Sequence, residues 1–261
     1  MKQVHDTFAE GALPYWNRFA VGRAWVQEAP GVVRFAMGPA PEGGLSDAEL
    51  NDFRLFSRGK WPWHPPLRLT VRARASHDAE HLVGTAGFGF WNAPFALNGD
   101  AVDSPKAVWF FHASPPSYMS MSPAGPGCGW RAQVLNAPSV PAWSIALGNL
   151  VWAIAPLRPL LYRAAQTQVG GGECLVTAAL SEWHVYRLEW LAARVDFWVD
   201  DQKILSTPMA PRGPLGFVAW IDNSMLRLRE GEFAFANLAV AEREWLELSE
   251  VRIESLETSG E

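Results

Sequence analysis

The stretch Ser181–Ile204, SEWHVYRLEWLAARVDFWVDDQKI, constrains the fold of this chain most. In its first arm His184, Tyr186, Leu188 and Trp190 alternate with Val185, Arg187 and Glu189. In its second arm Val195, Phe197 and Val199 alternate with Asp196, Trp198 and Asp200. Strand side chains point to opposite faces in turn, so a period of two predicts a β-hairpin in a sheet with one buried face. Asp200-Asp201 supplies the turn, with Asp201 where a glycine is often found.

The same alternation recurs in Leu67–Ala75, where Leu67, Leu69, Val71 and Ala73 face one way and Arg68, Thr70, Arg72 and Arg74 the other. Further strands are predicted at Val32–Met37, Val83–Trp91, Lys106–Ala113, Trp130–Leu135, Leu215–Ile221 and Glu232–Val240. Twenty-two glycines and twenty prolines suit many strands joined by turns. The 261 residues, 49% hydrophobic, suffice for one large sandwich, and no repeat or boundary divides them. One domain, 1–261, is therefore expected. Residues 1–30 form a lead-in segment with aromatic anchors Phe8, Tyr15, Trp16, Phe19 and Trp25. Ser46-Asp-Ala-Glu49 reads as a capping box for a short helix turning Leu50, Phe53 and Phe56 inward. Lys60–Pro66 is a proline-interrupted loop.

One region departs from this pattern. From Ala132 to Leu157 there is no charged residue, and Trp143, Ala146, Leu147, Leu150, Val151 and Ile154 recur at helical spacing until Pro156. A short apolar helix over 142–156, within an insertion spanning 137–168, is predicted. It is too short to cross a bilayer. Burial across the sandwich is the plainest role; a lid over an apolar cleft, self-association and docking on a lipid surface are the alternatives.

The net charge of −5 comes from Ala241–Glu261, which holds seven Glu and two Arg and leaves twenty charges of each sign elsewhere. This acidic end, 241–261, reads as a solvated, frayed terminus. Without a basic stripe, nucleic-acid binding is not expected. Cys128 and Cys174 are too few for a disulfide framework or a cysteine-rich metal site. The N-terminal MKQVHDTFAEGALPYW lacks the apolar core of a signal peptide, so a cytoplasmic location is expected.

The pattern Trp-His-x-Tyr-x-x-Glu-Trp followed by Arg-Val-x-Phe-x-Val-Asp resembles a hairpin of the concanavalin A-like glucanases, the laminarinase group of glycoside hydrolase family sixteen. Gly87-Phe-Gly-Phe-Trp91, with Asn92-Ala-Pro-Phe95 after it, is similar to the strand preceding that family's catalytic strand. Pro214-Leu-Gly-Phe-Val-Ala-Trp220 resembles a late strand, and Phe233–Val240 the closing one. The resemblance spans roughly residues 67–240 and implies an all-β jelly roll of two antiparallel sheets with a ligand cleft on the concave face. It also implies a Glu-x-Asp-x-(x)-Glu motif on a concave strand, since retaining hydrolysis needs two carboxyl groups about 5–5.5 Å apart. The equivalent strand here, Lys106–Ala113, carries no Asp or Glu, and none occurs between Asp103 and Glu173. The family's hydrolysis is therefore not expected. Where the family often binds calcium through an Asp, this chain has Asn237, and no metal or other cofactor is expected.

Two residues are the candidates for chemistry. His112 lies on the strand that bears the acids in the family and is suited to proton transfer near neutral pH; its alternative is a core histidine bonded to a backbone carbonyl. Asp222 shares a strand face with Trp220, where an indole neighbour raises a carboxyl pKa; its alternative is a strand-end turn. Trp91, Trp109, Phe110, Trp220, His184 and Trp63 are the candidate ligand-binding residues. Trp61 and His64 flank Trp63 in its loop, while His77 and His81 read as a polar hairpin loop rather than metal ligands. The sequence predicts a module that holds a glycan or apolar small molecule in an aromatic cleft. The alternative is a divergent enzyme using that cleft for acid/base chemistry on a hydrophobic molecule.

Overall fold

A computed structural model describes residues 3–57, 59–94, 104–119, 127–137, 170–229 and 232–256. The predicted 142–156 helix lies outside them, as does most of the 137–168 insertion. The first five strands are β1 (Gln3–Asp6), β2 (Asn17–Val21), β3 (Ala24–Ala29), β4 (Val32–Met37) and β5 (Asp47–Asn51). A 3-10 turn, Phe53–Leu55, leads to β6 (Leu67–Ala75), β7 (Thr85–Trp91), β8 (Lys106–Ala113), β9 (Gly129–Asn136) and β10 (Gly170–Leu175). β11 (His184–Trp190), β12 (Val195–Val199) and β13 (Gln202–Thr207) follow. The last are β14 (Gly216–Asp222), β15 (Ser224–Arg229), β16 (Glu232–Asn237) and β17 (Glu244–Ser255).

These strands build a jelly-roll sandwich. One sheet runs β13-β12-β11-β6-β17-β4-β3, with β1 added beside β17. The other runs β10-β9-β8-β7-β14-β5-β2, and β15 pairs with β16 as a separate ribbon. All neighbouring strands in the two sheets are antiparallel. Inward residues from both sheets meet in one apolar core containing Leu69, Val71, Phe88, Phe110, Tyr186, Trp190, Phe197 and Phe217. Aromatic edges interlock there: Phe110 meets Phe197 at 5.3 Å and 89°, and Tyr186 at 5.0 Å. Asp200 and Asp201, with φ of 46° and 66°, turn β12 into β13.

Three local expectations are corrected. Within the acidic end, Glu244–Ser255 is a central strand, and 257–261 lie outside the described residues: β17 lies between β6 and β4, placing Leu246, Leu248, Val251 and Ile253 in the core. A bulge at Ser249 shifts the phase between those two pairs. Glu247 is paired there, accepting Arg34 Nε and Arg74 Nε, both at 2.8 Å. Counting charge hid the period of two beneath it. The supposed capping box is strand β5, because Asp47, Glu49 and Asn51 alternate with buried Ala48 and Leu50. Ser46 instead donates its N–H to Asn223 Oδ1 at 2.8 Å. Residues 232–237 do not close the sandwich; they form the ribbon with β15. The lead-in region also folds into the sheets as β1, β2 and β3.

Candidate functional site

Register across the second sheet determines which side chains share its outer face. One row reads Asp47, Asp222, Thr85, Ala113 across β5, β14, β7 and β8. The next reads Glu49, Trp220, Gly87, Phe111, Arg131. The third reads Asn51, Val218, Gly89, Trp109, Gln133, and the fourth holds Trp91 and Ala107. Large rings from β8 and β14 thus flank the glycines of β7. A Cβ at Gly87 would lie 2.3 Å from Phe110 O and 2.9 Å from Trp220 Cη2; one at Gly89 would lie 2.6 Å from Trp109 Cβ. These glycines open space that neighbouring side chains fill, leaving a continuous aromatic floor. Trp109 stacks on Phe111 at 5.2 Å and 15°, and lies 5.3 Å from Trp220 and 6.1 Å from Trp91.

This floor underlies a cleft of about 490 Å3. Met225, Leu226 and Phe235 of the ribbon, with Met119, add an apolar wall. Phe235 is 60% exposed. Glu49, Thr85, Asp222 and Ser224 supply the polar lining, and their rows place it at one end.

Hydrogen bonds fix two of the indoles. Trp220 Nε1 donates to Thr85 Oγ1 at 2.9 Å, and the Thr85 hydroxyl donates to Asp222 Oδ2 at 2.9 Å. Ser224 N donates to Asp222 Oδ1 at 2.7 Å. Trp109 Nε1 donates to Gln133 Oε1 at 3.0 Å, and Gln133 Nε2 donates to Glu173 at 3.1 Å. Arg131 is buried beside this network, 3.3 Å from Glu173.

Three carboxyl groups gather at the polar end. Burial pushes Asp47 far above the ordinary carboxylate range, and the Glu49 and Asp222 carboxylates push it further. Burial also raises Asp222, against the hydrogen bonds from Ser224 and Thr85. Arg54 Nε lies 3.6 Å from Glu49. Such a cluster can retain a proton near neutrality or attract a cation. Among the described residues, no three His, Cys, Asp or Glu side chains converge as a metal site requires.

Of the sequence candidates, Trp91, Trp109, Trp220 and Asp222 meet in this cleft. Asp222 also forms the strand-end turn through Ser224 N. The other four are corrected. His112 and Phe110 point from β8 into the sandwich, the face opposite Trp109 and Phe111. His112 is fully buried; Nε2 donates to Leu82 O at 2.9 Å, Nδ1 has no partner, and burial lowers its pKa to about 4. It is the carbonyl-bonded core histidine. His184 lies on the other sheet, its Nδ1 2.5 Å from Asp200 Oδ2. Trp63 is a core residue whose Nε1 donates to Asp52 Oδ2 at 2.6 Å. Glu49, Asp47 and Phe111 escaped sequence reasoning. The polar–apolar alternation of Asp47–Asn51 would have revealed the two acids, and the period of two from Trp109 would have revealed Phe111.

A comparison with family models finds no match, and one with curated proteins finds none. Solved structures do match. A β-glucanase from Bacillus licheniformis is similar with a TM-score of 0.53 and 9% identity, over 97% of this chain and 98% of that one. A glycoside hydrolase family 16 endo-glucanase from Bacteroides ovatus gives 0.52 and 10%, over 96% and 99%. An endo-β-galactosidase from Clostridium perfringens, described as releasing GlcNAcα1-4Gal, gives 0.52 and 13% over 96% of this chain. The chain spans 61% of the length of that galactosidase. At these identities the likeness establishes the fold alone: a jelly-roll β-sandwich of two large antiparallel sheets.

Proposed function

We propose that this protein holds a glycan, or a small molecule with an apolar face, in the concave cleft without glucanase-type hydrolysis. The observation that carries this reading is the floor of Trp91, Trp109 and Trp220, with two indoles oriented by hydrogen bonds. Rigid indole faces bind the C–H face of a sugar ring or another flat apolar surface. The names of the matching structures, a β-glucanase and an endo-β-galactosidase among them, favour a glycan. The face of β8 towards the cleft, Ala107, Trp109, Phe111 and Ala113, offers no carboxyl group for the family's chemistry. Native mass spectrometry of the purified protein tests the reading. It predicts a co-purifying small molecule or oligosaccharide that Trp220→Ala sheds; a ligand retained equally by Trp220→Ala and Trp109→Ala contradicts it.

A second reading rests on Asp222. A carboxyl with a raised pKa lining an apolar cleft can donate a proton, so the cleft supports acid catalysis on a bound hydrophobic molecule. Asp222 then replaces His112 as the proton-transfer group. Turnover of the co-purifying molecule by the wild type, lost in Asp222→Asn, would favour this reading; an intact molecule after prolonged incubation would exclude it.

A further inference from the structure

The charges around the cleft specify more than an apolar surface. Its described lining contains no Lys, Arg or His, whereas Glu49 and Asp222 stand at one end. Asp47 pairs with Asp222 across β5 and β14, so three carboxyl groups share that corner. Asp47 Oδ1 is buried there without a hydrogen-bond donor. Of the two neighbouring guanidiniums, Arg54 lies 3.6 Å from Glu49 and offsets that carboxylate, and Arg131 is set against Glu173, so neither pairs with Asp222. Asp222 has only neutral donors, Thr85 and Ser224. Beside it lies Trp220, whose π face attracts positive charge.

We propose that the occupant of this cleft carries an organic ammonium group, seated between the Trp220 face and the Asp222 carboxylate while its apolar part lies along Trp109 and Trp91. This rests on the cleft-binding reading above and adds the charge of the ligand. An indole face and a carboxylate each favour a cation over a neutral group of equal size, and exclusion of water strengthens both effects. The ammonium belongs either to an amino sugar or to a free alkylamine.

The test compares four probes by isothermal titration: choline against its uncharged isostere 3,3-dimethylbutan-1-ol, and glucosamine trimer with free amines against cellotriose. The expected result is at least about tenfold tighter binding of the charged member in one pair, with that pair identifying the source. Asp222→Asn should erase the gap. Glu49→Gln should narrow it, and guards against a local disturbance of Trp220 in the first variant. Equal affinity for both members of each pair, with both weakened by Trp220→Ala, overturns the charge inference while leaving cleft binding intact. If no probe binds, or Trp220→Ala changes nothing, both inferences fail.

Discussion

Protonation of His112 provides a sharp test of how this sandwich is oriented. Burial lowers its pKa from 6.5 to about 4, against the Leu82 carbonyl, which favours the proton, and aided by Arg131. The folded protein thus resists a proton that the unfolded chain accepts. His112 supports folding fully above pH 6.5, and that support is lost as pH falls towards 4. The drop corresponds to about 3 kcal/mol, at about 1.4 kcal/mol for each tenfold change. The wild-type pH profile alone will conceal it, because buried Glu244, raised to about 7, acts oppositely across much of the same range. The comparison is therefore wild type minus His112→Gln, by urea unfolding at intervals from pH 7.5 to 4. Loss of the bond to Leu82 adds an offset that pH does not change. The variant should gain about 3 kcal/mol on the wild type across the series. A difference independent of pH would mean that His112 titrates alike in both states, and would refute its burial in the core.

Other consequences follow from single contacts. Gly87→Ala places a methyl against Phe110 O and the tip of Trp220, so it should cost about 2 kcal/mol and lower Tm by roughly 5 °C, with a changed Trp220 fluorescence. Wild-type melting would contradict the packed floor. Asn223→Ala removes the acceptor for Ser46 N and the donor to Gly44 O and Leu238 O, and should destabilise by about 3 kcal/mol or more in urea titration. Because Asn223 anchors the start of the ribbon, it should also weaken cleft binding. Glu244→Gln keeps an acceptor for Val83 N and removes a carboxyl whose ionisation opposes folding. The wild type loses that support as pH rises from 4.5 through 7, so the variant should gain up to about 3 kcal/mol at pH 8.5 and little at pH 4.

What was legible in the sequence followed from strict alternation. Leu67–Ala75 and Lys106–Ala113 match their strands end to end, and the two predicted arms at 184–190 and 195–199 pair as a hairpin, but its turn is at 191–194, while Asp200-Asp201 turns the second arm into β13. Local pattern could not decide which face of a wholly apolar strand looks inward. In Lys106–Ala113 both faces are greasy, so His112 and Trp109 were equally plausible in the cleft; pairing with β7 and β9 separates them. Asp47–Glu49 was obscured by a capping signal identical to that of a helix, although the chain bonds Ser46 to Asn223, far away in sequence. Gly170–Leu175, with three successive glycines, carries little strand preference of its own and is held by pairing with β9.

The central claim is that ligand recognition belongs to the floor of Trp91, Trp109 and Trp220. It is tested most directly by following the indole N–H signals of 15N-labelled protein during titration with the molecule that co-purifies. Those three signals should shift together, while buried Trp63, Trp130 and Trp190 and outward-facing Trp198 and Trp245 hold still. Movement confined to the latter groups, with the cleft indoles unchanged, would place recognition elsewhere on the protein and contradict the account.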